Sequence, residues 1–317
     1  MVPSKCCRFL LWILLIFLAV IIIQLPHRHS TLISKEWLYS MSVKTKNKVI
    51  LWNQLNFNVD LSKIRAVIHY PEKLSTNEDE KLLQIYPIDL NSIEKEMFLR
   101  TVSIFSSALS SANITHMVYG GTAIGSRRHH GFIPWDDDID IWINKTEKTK
   151  SKKILSSIPK FGLFSPNNFQ WKFFFKNLNT LKSKPFRWPY IDIFYFEENA
   201  THIWDELPPH RTRYYKKSII FPLYNRMFQS IKLPTPCAID KFVGESALKS
   251  CQSSSYNHRM EWVLPARFRM TIPCSKLYHL QPFVFRTKHN ETHHKEELKQ
   301  NDTLIHKIFV PTNLCAT

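Results

Sequence analysis

One stretch constrains this chain more than any other: Trp135-Asp136-Asp137-Asp138-Ile139-Asp140-Ile141, with four carboxylates in five positions running straight into an apolar alternation. Side chains alternate across a strand with period two, so Asp136, Asp138 and Asp140 share one face, and Ile139, Ile141 and Ile143 fill the other. Same-face neighbours lie about 6.6 Å apart along a strand. Carboxylates at that spacing repel one another unless a hard cation joins them. Oxygen-only ligands select Mg2+ or Mn2+ over zinc. A solvated acidic turn is the plainer alternative, but the isoleucines continuing beyond Asp138 argue for a strand that carries a metal site.

The residues before the aspartates strengthen this. Met117-Val118-Tyr119 reads as a short strand ending in Gly120-Gly121, and Thr122 to Arg128 reads as a short helix. Such a turn presents free backbone N–H groups beside a helix N-terminus and can cradle a phosphate. A lone Gly-Gly often marks only a turn, but four of the chain's six glycines fall between residues 120 and 131. Arg127 and Arg128 can add charge-assisted contacts to phosphate oxygens. Upstream, Asn91 with Glu94 makes a capping-box start for a helix over 92–110, whose Phe98, Val102, Phe105 and Leu109 form one buried face. Lys148 to Ile158 reads as another helix. Downstream, Trp188 to Phe196 (WPYIDIFYF) is a strand of β-branched and aromatic residues. Its single Asp192 is costly to bury unless paired or near a metal, so it is expected either to bind the ion or to act as general base on an acceptor hydroxyl.

The segment GGTAIGSRRHHGFIPWDDDIDI, followed by WPYIDIFYF, resembles the signature of LicD-like proteins, a family that includes fukutin and the fukutin-related protein. The resemblance spans roughly residues 95–200. It implies an α+β, nucleotidyltransferase-like mixed sheet flanked by helices. It also implies metal held by Asp138 and Asp140 with Asp136 in the acidic run, Asp192 as third carboxylate, and donor phosphate cradled by Gly120, Gly121 and Thr122 with Arg128 in contact. The implied reaction moves a phospho-alcohol, of the phosphocholine or ribitol phosphate type, from a CDP-activated donor to a glycan on protein or lipid. Two alternatives stay open: a type II Golgi glycosyltransferase using a nucleotide sugar, and an inactive Golgi scaffold of the same fold. All three carboxylates being present argues against the scaffold.

The N-terminus sets the compartment. Phe9 to Ile23 is unbroken apolar sequence behind Lys5 and Arg8; with Gln24 and Leu25 it reaches the lower end of a membrane span of about 17–25 residues. No small-residue cleavage site follows it, which favours an uncleaved signal anchor over a cleaved signal peptide. The expected layout is a cytosolic tail over 1–8, an anchor over 9–25, a stem and entry segment over 26–90, a catalytic domain over 91–285 and a polar, solvated tail over 286–317. The protein is therefore expected as a single-pass type II protein of the Golgi or ER membrane with a lumenal catalytic domain. Sequons at Asn113, Asn144, Asn199, Asn290 and Asn301 fit a lumenal chain. Cys237, Cys251, Cys274 and Cys315 form an even set of disulfide candidates in an oxidising space, with three possible connectivities. The net charge of +17 is spread along the chain with no nucleic-acid-binding signature, so a phosphate-rich small ligand accounts for it better than nucleic acid.

Overall fold

The computed structural model describes Ile64, residues 76–181 and residues 183–315. The expected anchor lies outside these residues. Among the described residues, no helix is long and apolar enough to cross a membrane.

Helix α1 (Asn77–Ile85) leads into α2 (Ser92–Ser111). The capping box expected for α2 is present: Glu94 N donates to Asn91 Oδ1 at 2.9 Å, and Asn91 N donates to Glu94 Oε2 at 3.0 Å. Phe98, Val102, Phe105 and Leu109 are buried, which fixes the helix against the sheet. That sheet has seven strands: β1 (His116–Val118), β2 (Ile139–Asn144), β3 (Phe161–Phe164), β4 (Trp171–Phe175), β5 (Tyr190–Glu198), β6 (His202–Asp205) and β7 (Tyr214–Lys216). Five run in the order β1-β2-β5-β4-β3, and β6 extends from β5 to β7. β2 and β5 are parallel and the other pairs antiparallel, so the sheet is mixed. Helix α3 (Gly120–Arg128) joins β1 to β2, and α4 (Lys148–Ser157) follows β2. Ile139, Ile141, Trp142, Ile143, Ile191 and Ile193 have no exposed surface. A central parallel pair covered on both faces needs near-continuous apolar sequence, and the β-branched runs of β2 and β5 supply it.

Beyond the sheet come the short helix α5 (Lys217–Ile220), the hairpin β8 (Tyr224–Phe228) and β9 (Ile231–Thr235), and the short helices α6 (Ile239–Val243) and α7 (Glu245–Lys249). Strand β10 (Ser250–Gln252) pairs with β13 (Thr271–Pro273), enclosing the two-residue strands β11 (Tyr256–Asn257) and β12 (Trp262–Val263). Disulfides join Cys251 to Cys274 and Cys237 to Cys315. The first sits in a second apolar core with Tyr86, Trp135, Leu277 and Phe283.

Residues 286–317, expected as a solvated tail, instead contribute most of a three-stranded antiparallel sheet: β14 (Phe283–Lys288), β15 (His293–Gln300) and β16 (Thr303–Pro311). Its inward positions on β15 are Glu296, Leu298 and Gln300. Polar residues hold two of those three places, which erases the apolar alternation by which a strand is recognised. Glu296, fully buried, receives Arg226 Nη2, Arg286 Nε at 2.7 Å and His130 Nε2 at 3.0 Å. Arg127 Nε lies 3.9 Å away and pairs with Asp240, which also takes Arg286 Nη1 at 2.7 Å. This knot fastens the C-terminal sheet to the end of α3.

Candidate active site

The Gly-Gly turn and the aspartates meet at the head of β2. Tyr119 N donates to the Asp140 carbonyl at 3.0 Å, carrying the chain from β1 into the turn. Gly120 has φ +46°, and a Cβ there would stand 2.5 Å from Asp140 Oδ2. A Cβ on Gly121 would stand 2.5 Å from Asp136 Oδ2. A side chain at either place would have to push a carboxylate oxygen aside, and at Gly120 the positive φ favours glycine as well. Gly121 N donates to Asp140 Oδ2 at 3.2 Å, and Asp140 N donates to Thr122 Oγ1 at 2.8 Å. The turn, the start of α3 and the head of β2 are one hydrogen-bonded unit.

Register places the next residues. Asp140 is aligned with Asp192 across the parallel pair β2–β5, and Asp192 with Lys172 across the antiparallel pair β5–β4. Lys172 Nζ donates to Asp192 Oδ1 at 2.7 Å and stands 3.7 Å from the centre of the Tyr190 ring. Asp192 and Lys172 are buried, while Asp136, Asp138 and Asp140 are half-buried. Low-dielectric surroundings, followed by mutual repulsion, push the carboxyls of Asp136 and Asp140 well above the usual carboxylate range. Asp138 is pushed up to about 6, by burial first and then by Asp192 and Asp137 against the pull of His258. Burial also raises Asp192, although Lys172 opposes it. The pocket is short of positive charge.

Three residues of this site escaped the sequence reading: Asp137, Lys172 and His258. Asp137 points away from its neighbours and organises the loop between β11 and β12. Its Oδ2 accepts from the backbone N–H groups of His258 (2.9 Å) and Arg259 (3.0 Å), and its Oδ1 lies 2.7 Å from His258 Nδ1. His258 Nε2 then lies 3.2 Å from Asp138 Oδ2. Burial alone would lower the imidazole; Asp138 and Asp137 overcome it and raise His258 to about 11. The loop is braced on both sides. Arg259 pairs with Asp89 at 3.2 Å and Glu94 at 3.0 Å and lies over Trp188, while Glu261 accepts from Tyr190 Oη and lies 3.4 Å from Lys184 Nζ. One signal for Asp137 was available: an aspartate on the opposite face from Asp136 and Asp138, against the apolar side, requires a partner from elsewhere.

Asp136, Asp138, Asp140, Asp192, Gly120, Gly121 and Thr122 thus come together. Arg128 directs its hydrogen bonds to other residues, although the Asp136 carboxylate is near enough to favour its charge against burial. Arg128 sits in the last turn of α3, about 12 Å along the axis from Gly120 at 1.5 Å per residue. Its guanidinium donates to Ala247 O at 2.7 Å and His129 Nε2 at 2.9 Å and lies over Trp135 at 5.6 Å. Of those partners Trp135 belongs to the second core, so Arg128 ties the end of α3 to it. Of the sequons, Asn113, Asn199, Asn290 and Asn301 are exposed, whereas Asn144 is half-buried and donates to Glu198 at 2.9 Å.

Asp138, Asp192 and His258 each offer one ligand atom, all within 4.8 Å of one another. Buried carboxylates with too little counter-charge, plus an imidazole, suit a divalent ion.

Comparison with known proteins agrees with the resemblance read from the sequence. Residues 113–238 match the model of the LicD/FKTN/FKRP nucleotidyltransferase domain. The lipopolysaccharide cholinephosphotransferase LicD of Haemophilus influenzae is 43% identical over 49 residues, 16% of this chain and 18% of that protein. Uncharacterized proteins of Rickettsia prowazekii and Rickettsia typhi are each 37% identical over 54 residues, 17% of this chain and 20% and 18% of theirs. The chain therefore aligns with about a fifth of the length of these relatives. Residues 239–315, His258 among them, lie outside the matched domain.

Proposed function

We propose that this chain is a metal-dependent phosphotransferase of the nucleotidyltransferase-fold, LicD-like type. It moves a phospho-alcohol from a CDP-activated donor to a hydroxyl of a glycan. The observation that carries this is the alignment of Asp140 with Asp192 across parallel strands, with Gly120-Gly121 pressed against Asp140 and Asp136, inside the segment that matches the LicD-type domain. The relative of known activity transfers phosphocholine to lipopolysaccharide, as its name states.

The chain's own residues support the chemistry as follows. The Gly120-Gly121 turn lies at the N-terminus of α3, where N–H groups and the helix dipole favour a phosphate. Asp138, Asp140 and Asp192 would hold the divalent ion, which when bound offsets charge on the phosphoryl oxygens and the departing nucleotide. Lys172 donates to Asp192 Oδ1, whose second lone pair is left for the ion, so that Oδ2 is free for the acceptor. The acceptor hydroxyl oxygen forms the new bond to phosphorus, its proton passes to Asp192 Oδ2, the bond to the bridging oxygen breaks, and CMP leaves. Burial raises the Asp192 carboxyl, which makes it a better base than an exposed aspartate. We place this domain in the Golgi or ER lumen behind the apolar segment at residues 9–25.

The test is a donor screen. The purified chain with Mg2+ or Mn2+ is offered CDP-choline, CDP-ribitol, CDP-glycerol and UDP-sugars with a glycan acceptor. CMP release that depends on the acceptor is expected. UDP release from a nucleotide sugar, or no release from any donor, would sink the proposal.

A further inference from the structure

We infer that His258 is a ligand of the metal, so that the site is a mixed oxygen–nitrogen centre, completed from outside the matched domain, that takes Mn2+ in preference to Mg2+. This deepens the function proposed above and rests on it for the presence of a metal at Asp138 and Asp192.

Three observations carry it. The first is position: Nε2 of His258 stands 3.2 Å from Asp138 Oδ2, and one atom from each of Asp138, Asp192 and His258 falls within 4.8 Å of the others. The second is orientation. Nδ1 lies 2.7 Å from Asp137 Oδ1, which fixes the ring and directs Nε2 at the two carboxylates. A carboxylate behind one nitrogen and a cation before the other is the usual support of a metal-binding histidine. The third is rigidity. Asp137 also holds the backbone of His258 and Arg259, and Arg259 and Glu261 brace the loop on either side. A histidine needed only as a mobile surface charge has no use for such support. An all-carboxylate pocket suits Mg2+, whereas an imidazole shifts preference along the transition series.

A rival role fits the same distances: His258 as a cation that neutralises Asp138 in place of a metal. The two roles predict opposite signs. Removing a ligand weakens metal binding; removing a competing positive charge tightens it. The experiment uses the full chain without donor, titrated with Mn2+ and monitored by electron paramagnetic resonance, with pulsed detection of 14N coupling. The wild type should show a histidine nitrogen coupled to Mn2+. His258→Gln should lose that coupling and bind Mn2+ at least about 10-fold more weakly, with a smaller change for Mg2+. Asp137→Asn should keep the nitrogen signal and weaken binding by about 10–100-fold. Circular dichroism confirms that the variants are folded, and His258→Gln leaves the backbone N–H groups that Asp137 holds. Wild-type Mn2+ without nitrogen coupling, or tighter Mn2+ binding by His258→Gln, overturns the inference while leaving CMP release intact. Nitrogen-coupled Mn2+ in a chain that releases no CMP upholds it and defeats the proposed reaction. A wild type that binds no Mn2+ overturns both.

Discussion

Two buried charge clusters sit at opposite ends of α3, and they are built on opposite plans. At its start, Asp136, Asp138, Asp140 and Asp192 crowd together, and the cations in contact with them are Lys172 and His258. At its end, Glu296 is met by Arg226, Arg286 and His130, with Arg127 close by and Asp240 bridging two of the arginines. Burial pushes the first set of carboxyls up. Glu296 is held far below the usual range because His130, Arg226 and Arg286 outweigh the burial that opposes them. One cluster concentrates like charge and the other crosses opposite charges. A fold keeps the first arrangement only where something other than stability selects it, and buried charge crowding of this kind is a mark of functional sites.

Three substitutions or conditions bear on that contrast. The largest effect is expected at Asp140. Asp140→Asn keeps the shape, removes one charge and should cut turnover by about 10²–10³-fold. Because it also relieves repulsion, the metal-free variant should melt no lower than the wild type. Calorimetry alongside CMP-release kinetics checks both; a clear drop in melting temperature with full turnover would reverse the roles assigned to the two clusters.

Next in size is Glu296→Gln. Removing one partner of a buried pair leaves uncompensated charge and costs about 3–5 kcal/mol. In a domain of this size that lowers the melting temperature by roughly 10 °C. Scanning calorimetry decides it: an unchanged melting temperature would mean that the knot does not hold the C-terminal sheet.

The smallest effect is in pH. His130 faces Glu296, Arg226 and His306, and burial lowers it below its ordinary 6.5. A histidine depressed in the folded state contributes stability above the unfolded value and loses it as pH falls below about 6.5. Glu296, also depressed, adds a second loss as pH falls below its ordinary 4.5. The raised carboxyls of Asp136, Asp138, Asp140 and Asp192 gain stability on acidification and oppose this, so the test is the difference between chains. Between pH 6.5 and 5, His130→Gln should lose less melting temperature, or gain more, than the wild type, with the loss from Glu296 below 4.5 unchanged. Buried His129 works in the same direction, so some slope should remain. Equal slopes in variant and wild type between pH 6.5 and 5 would remove His130 from the account.

The two clusters were unequally legible. Asp136, Asp138 and Asp140 lie within one continuous sequence block, which is what made them legible. Strand β2 begins only at Ile139, however, so Asp140 alone of the three is on the strand expected to carry them all. A strand Asp among aromatics announced Asp192. Capping and periodicity likewise placed α2, β2 and β5 within a residue or two. Lys172 was hidden because its meaning depends on the register between β4 and β5, which no local pattern encodes. His258 was hidden because the loop that carries it has no periodicity and is brought to the site by contacts distant in sequence, among them those to Asp137 and Glu94. Glu296 and its arginines come from three separated segments. Their strand offered polar residues where the eye expects apolar ones.

The knot at Glu296 also has a temporal side. The ribosome delivers His130 and Glu296 166 positions apart. At 5–20 residues per second, roughly 10–30 s of translation separate them. Throughout that interval His130 must stay hydrated, and the far end of α3 closes on β8, α6 and α7 but not yet on Glu296, with Arg127 paired to Asp240. The helix that begins at the Gly-Gly turn thus gains its last partner late. A nascent chain halted before β15 would display every carboxylate of the site and still lack the Glu296 knot at the other end of α3.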